Sequence, residues 1–218
     1  MSAITITKTH TCLPFSELDE KTKVKVLKKY SDYNTSFDWW NDVYEYFSEK
    51  MEEKGVEVDL EHTYFSLGYS QSDYAAITAE VTDIDKFITA LGGFDKKEIR
   101  LIKFALHEGY ISSLGCNAQR SSTGVSVEWD NPHEYNQGSI SDAYHFAEKT
   151  LENFSDSVDC FFREATRELY CDLQKELEYL TSEECLSESF DANGCVFEIE
   201  TGKMFHIVQG FPSELTLS

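Results

Sequence analysis

From residue 141 to about 180, apolar side chains recur at Ala143, Ala147, Leu151, Phe154, Val158, Phe161, Ala165, Leu169, Leu173, Leu177 and Leu180. Steps of three and four place them all on one stripe of a helix. Neither Pro nor Gly interrupts the run, so the pattern predicts a helix roughly 60 Å long at ~1.5 Å per residue. Its weak point is Ser155-Asp156-Ser157. Short polar side chains compete there for backbone hydrogen bonds and leave a kink or break open. The other face is acidic, with Glu148, Glu152, Asp156, Asp159, Glu164, Glu168, Asp172, Glu176 and Glu178.

Upstream the pattern changes repeatedly. Thr5 to Thr11 alternates Thr with Ile, Lys and His, as an edge strand does. Ser16, with Asp19 three residues on, reads as the N-cap of a helix ending near Tyr30. That helix holds Lys21, Lys23, Lys25, Lys28 and Lys29, which read as a solvated basic face, with a local pairing site for the acidic long helix as the rival. A second helix is expected from Phe37 to Lys54, closed by Gly55. Its stripe is Trp40, Val43, Tyr44, Phe47 and Met51. Adjacent helical residues point ~100° apart, so Trp40 is expected in the core and Trp39 partly exposed. Val56 to Leu60, His62 to Leu67 and Tyr74 to Val81 read as strands.

Asp83 is placed to cap a short helix to Leu91, stopped by Gly92-Gly93. Lys96 to Glu108 follows as a helix with Ile99, Ile102, Phe104, Ala105 and Leu106 as apolar positions. Tyr110 to Leu114 and Val125 to Trp129 are expected to pair as strands across a polar loop. Beyond the long helix, Thr181-Ser182-Glu183-Glu184 is a capping box for a short helix to Asp191. Cys195 to Glu200 and Lys203 to Val208 then form a hairpin about Thr201-Gly202. A two-residue turn there puts Cys195, Phe197 and Ile199 on one face with Met204, His206 and Val208. Residues 209–218 read as a flexible tail. Helices and strands mix without a βαβ rhythm. The expectation is a single α+β domain of residues 1–218: an antiparallel sheet packed with several helices around the long C-terminal acidic helix, with a hairpin after it.

Charge narrows the partners. Nineteen basic residues against forty acidic ones give a net charge of −21. Most of such a surface repels nucleic acid and anionic membrane, and attracts a basic partner. From Ser141 to Asp191 fourteen acids meet four bases, a net of −10. Glu152, Asp156, Asp159 and Glu168 are the candidates for docking a basic groove, and all four are expected exposed. Simple solvation of an acidic face is the rival explanation.

Chemistry is not signalled. The histidines (His10, His62, His107, His133, His145, His206) make no metal-binding spacing, and no P-loop, dinucleotide turn or G-x-S-x-G is present. Cys12 lies near His10, which alone does not define a nucleophile and base. The six cysteines have no C-x-x-C pairing and are expected reduced. The expectation is a protein with no metal, no cofactor and no catalytic centre. No run of about 18 apolar residues reads as a membrane span, and the N-terminus lacks the order of a secretory signal.

Three stretches carry a family likeness. The first is Phe15-Ser16-Glu17-Leu18 leading to Asp38-Trp39-Trp40-Asn41-Asp42-Val43-Tyr44. The second is Tyr64-Phe65-Ser66-Leu67-Gly68-Tyr69-Ser70-Gln71-Ser72-Asp73. The third is Leu177-Glu178-Tyr179-Leu180-Thr181-Ser182-Glu183-Glu184, with Glu188 and Ala192-Asn193 ahead of Phe197. In this order, over residues 13–205, the chain resembles bacteriophage proteins described as antitoxins of a toxin–antitoxin stability system, akin to phage anti-DarT factors. Ser70, Gln71, Asp73 and Ala75 match that family's S-Q-G-D-G-A-S-F pattern, while Ser72 and Tyr74 replace its two glycines. Losing Gly there removes easy access to positive φ, which weakens any loop function needing close backbone approach.

The resemblance implies a phage protein, working in the host cell cytoplasm, that binds and blocks a host toxin or defence enzyme with a basic surface. Ser70, Gln71 and Asp73 join the four helix acids as candidate partner-binding residues. Two alternatives stand beside this: an acidic mimic of DNA that occupies restriction or other DNA-binding enzymes, and a small enzyme acting on a nucleotide signal or modification.

Overall fold

In the computed structural model, which describes residues 9–68, 73–111, 114–117 and 142–206, the long apolar stripe folds as one helix from Asp142 to Leu180. Ser155-Asp156-Ser157 does not break it. The Ser157 hydroxyl instead donates back to the Asn153 carbonyl at 2.7 Å, a bond that stays inside the helix. In chain order the elements are β1 (Cys12–Pro14), α1 (Glu20–Lys29), α2 (Asn41–Glu52), β2 (Val56–Ser66), β3 (Tyr74–Val81), α3 (Ile84–Leu91), α4 (Lys96–His107), β4 (Gly115–Cys116), α5 (Asp142–Leu180), α6 (Glu183–Ala192), β5 (Cys195–Glu198) and β6 (Met204–His206). This is an α+β fold with two small antiparallel sheets, β1-β5-β6 and β2-β3-β4. Contacts cluster in two compact units: Trp40–Gln174, and Met1–Trp39 with Lys175–Ser218.

In the unit of residues 40–174, the buried side of α5 is Leu151, Phe154, Val158, Phe162, Ala165, Leu169 and Leu173. The expected stripe had Phe161 where the structure buries Phe162. Both rings meet Phe87 of α3, at 5.0 Å for Phe161 and 6.1 Å for Phe162, but Phe161 stays half-buried with Lys54 over its face. Helix α2 buries Tyr44, Phe47 and Met51 as expected. Trp40 does not join them. The helix begins at Asn41, four residues after the expected Phe37, so Trp40 sits at its N-cap, and its half-buried ring meets Phe65 edge-on at 5.5 Å. In α4, Phe104 is a second departure: it is exposed, while Ile102 and Ala105 form the buried side.

The turn after α2 explains Gly55. Its φ is +78°, and a Cβ would lie 2.3 Å from the Asp83 carbonyl oxygen. Its own carbonyl accepts from the Thr82 and Asp83 amides. Asp83 in turn caps α3 by accepting from the Asp85 and Lys86 amides, as expected. The expected strand of residues 110–114 is displaced: Ile111 makes only an isolated bridge, and the strand that pairs with β3 is Gly115–Cys116. The expected strand at 125–129 lies outside the described residues.

The other unit is built on aromatic contacts. Phe190 of α6 meets Phe197 of β5 at 5.0 Å, Tyr33 at 5.1 Å and Phe15 at 5.5 Å, with Leu18, Val26 and Leu186 buried around them. Asp19, not Ser16, caps α1, because a 3-10 turn at Phe15–Glu17 delays the helix until Glu20. Ser182 caps α6 by accepting from the Cys185 amide, one residue beyond the Thr181 of the expected capping box, whose hydroxyl donates back to the Leu177 carbonyl instead. In the hairpin the register pairs Phe197 with Met204 and Cys195 with His206. A four-residue turn, 199–202, replaces the expected two-residue one, closed by the Gly202 amide on the Glu198 carbonyl. Because the shift is even, Cys195 and Phe197 keep the expected face. Of the expected strand at 5–11, residues 5–8 lie outside the described residues and residues 9–11 are not strand, which begins only at Cys12; the tail also lies outside the described residues.

Candidate functional site

Strand β2 opens with alternating residues. Val56 and Val58 turn inward and are buried, while Glu57 and Asp59 stand exposed on the other face. In β3, Ala75, Ile77 and Ala79 turn inward, and Tyr74 and Glu80 stand exposed. The ladder sets Glu57 opposite Glu80, Asp59 opposite Thr78, Tyr64 opposite Ala76 and Ser66 opposite Tyr74. One solvent face therefore carries carboxylates at one end and two tyrosines at the other. Tyr64 is 44% exposed and Tyr74 52%, and they are diagonal neighbours across the ladder.

Between these ends the register shifts, so that residues 60–63 of β2 bulge opposite Ile77. Asp59 builds the bulge. Its Oδ1 accepts from the Glu61 and His62 amides at 3.1 and 3.2 Å, and its Oδ2 lies 2.7 Å from His62 Nδ1. The Thr63 hydroxyl donates to the Asp59 carbonyl, and the Thr78 hydroxyl to that of His62. The His62 ring first, then these amides, hold the Asp59 carboxyl below its usual range.

The carboxylate end is a groove of roughly 690 Å³ lined by Glu57, Asp59, Glu61, Thr78, Glu80 and Asn117 together with Val58, Leu60, Ala79, Leu114, Gly115 and Cys116. Gly115 lets β4 lie close: a Cβ there would sit 2.3 Å from the Ala79 carbonyl oxygen. Four carboxylates line the groove, and among the described lining residues there is no Lys or Arg. No ion pair among the described residues engages Glu57, Glu61 or Glu80. Glu57 and Glu80 face one another at the ~4.5–5.5 Å Cβ spacing of directly opposed strand residues, an arrangement that destabilises the pair. Cys116 offers no nucleophile here. Burial pushes its thiol up to about 12, so it stays protonated at neutral pH.

The acids singled out on α5 separate into two kinds. Glu152 and Asp156 are exposed, as expected. Asp159 and Glu168 are not: Asp159 pairs with Arg163 one helical turn on, at 2.5 Å, and Glu168 pairs with Lys50 of α2. The cause is the cation, which draws each carboxylate against the surface. Of the loop candidates, Ser70 and Gln71 lie outside the described residues. The Asp73 Oδ1 accepts from the Gly68 amide at 3.0 Å and closes the base of the loop. The sheet face was missed by sequence reasoning. The alternation Val56-Glu57-Val58-Asp59 signals one acidic strand face, but no local pattern says that Glu80 stands opposite Glu57.

A second cluster lies in the other unit. Glu198, 7% exposed, engages His10 Nδ1 and accepts from the Thr201 hydroxyl. Cys12 is its partner in the β1–β5 ladder. Burial and then the Glu198 charge push the Cys12 thiol up, the opposite of activation. The closeness of Cys12 and His10 in sequence thus ends in a carboxylate that ties β1 to β5. All six cysteines are free thiols. Among the described residues, no group of three or more His, Cys, Asp or Glu is arranged to hold a metal ion, and no helix is long and apolar enough to cross a membrane.

No curated protein and no solved structure matches the chain. A family model described as "Domain of unknown function (DUF8835)" matches residues 39–183. That stretch takes in the whole unit Trp40–Gln174, with the acidic sheet face and the exposed acids of α5. Covering about two thirds of the sequence, the match places the chain in the DUF8835 family.

Proposed function

We propose that this protein is a non-catalytic, stoichiometric inhibitor that binds a protein target with a basic surface, as a phage counter-defence or antitoxin-like factor acting in the cytoplasm of a bacterial host. The observation that carries the reading is the set of carboxylates inside the family region that make no ion pair among the described residues: Glu57, Glu61 and Glu80 on the sheet, and Glu152 and Asp156 on α5. Repulsion between opposed carboxylates is retained at a cost to stability, and a basic partner relieves it. The likeness to phage antitoxins supplies the biological setting.

Duplex mimicry fits less well. Helix α5 carries ten acids over ~58 Å, about one per 6 Å, and two of them are neutralised by Arg163 and Lys50. Duplex DNA carries one charge per ~1.7 Å of axis.

The test is capture of the target by tagged protein from infected cells, identification by mass spectrometry, and reconstitution from purified components. The expected result is a complex of fixed stoichiometry on gel filtration that weakens as salt rises. Loss of target activity with no complex contradicts the proposal and points to an enzyme.

A further inference from the structure

We infer that the solvent face of the β2–β3 ladder is the docking surface, and that its occupant is a protein segment presenting arginine side chains. This rests on the reading of a basic protein target and adds the place and the chemistry. Two features of the face select arginine. At one end Glu57 and Glu80 oppose each other across the ladder, a paired acceptor that suits the planar fork of a guanidinium. At the other end Tyr64 and Tyr74 stand exposed as aromatic neighbours, and a guanidinium stacks on such rings better than an ammonium does. Six steps of β3 separate Tyr74 from Glu80, a span of about 20 Å. One side chain cannot bridge it, so the occupant bears at least two arginines about that far apart. Between the ends β3 presents Thr78 and Ala76 on this face, beside the bulge of β2. Four carboxylates exclude phosphate, and so nucleic acid, from the groove.

The experiment uses the full chain, isotope-labelled for amide NMR, with octa-arginine and octa-lysine peptides as probes at low ionic strength. The expected shifts fall on residues 57–66 and 74–80. Octa-arginine binds roughly two- to fivefold tighter than octa-lysine, as a stacking contribution implies. Tyr64→Leu with Tyr74→Leu removes that preference, and Glu57→Gln with Glu80→Gln weakens both peptides. All four side chains are exposed, and the mapping on the unaltered chain does not depend on how the variants fold. Shifts concentrated around Glu152 and Asp156, or equal binding of the two peptides, overturn this inference and leave the proposed function standing. No binding of either peptide overturns both.

Discussion

Glu57 and Glu80 face each other in exposed positions across the β2–β3 ladder. Their repulsion acts in the free protein and vanishes if one charge is removed. Glu57→Gln is therefore expected to raise stability by ~0.2–1 kcal/mol, read as a higher urea midpoint; a lower midpoint contradicts the assignment. Retaining such a pair for binding at the expense of stability is a familiar trade. Phe162 is fully buried while its neighbour Phe161 is not. Phe162→Ala should cost ~3–5 kcal/mol and Phe161→Ala clearly less, and equal losses in denaturation would place both rings in the core. Asp59 has its carboxyl held down by His62 and two backbone amides. Its folded pKa lies below the unfolded value of ~3.9, so its support for the bulge is complete above that pH and is lost as pH falls through the folded value. An NMR titration should place the Asp59 midpoint below ~3.9; a midpoint above it would mean the bulge is held by something else.

At the scale of elements, α5 shows what the sequence makes legible. A helix repeats its instruction every turn, so a 39-residue stripe survives several positions that stay half-buried (Ala147, Phe161, Leu177 and Leu180), and its course from Asp142 to Leu180 is legible although Phe162 rather than Phe161 takes the buried place. Caps are legible where a short polar side chain meets a clear start, as at Asp83, while at α6 the cap falls on Ser182, one residue beyond the expected Thr181. They were misread where a 3-10 turn intervenes, as at Ser16. Strand pairing is set by partners far along the chain, which is why neither the opposition of Glu57 and Glu80 nor the pairing of β4 with β3 was foreseen. Ion pairs between elements are equally non-local: nothing near Glu168 announces Lys50. The structure divides the α5 acids accordingly. Neutralising Glu152 and Asp156 as Glu152→Gln with Asp156→Asn should leave stability within ~0.5 kcal/mol. Glu168→Gln should cost up to ~1 kcal/mol by releasing Lys50 from a half-exposed pair. Thermal melts of the two variants decide it, and a larger loss from the first would show that Glu152 or Asp156 has a structural partner.

For the whole molecule, a net charge of −21 makes association with a basic target fast and sensitive to salt, since exposed charges are screened over ~10 Å at 0.1 M. Charge sets how fast a partner arrives. It does not distinguish an inhibitor that remains bound from an enzyme that leaves, and the described thiols with shifted titration all move away from reactivity. The measurement that separates the two is a titration of the captured target's activity against added protein, with the mixture resolved by gel filtration at each ratio. The account predicts that activity falls linearly to an end point at a fixed molar ratio, with all added protein in the complex until that point. Complete loss of activity at a small fraction of the target's molar amount, with the protein eluting free, would contradict it.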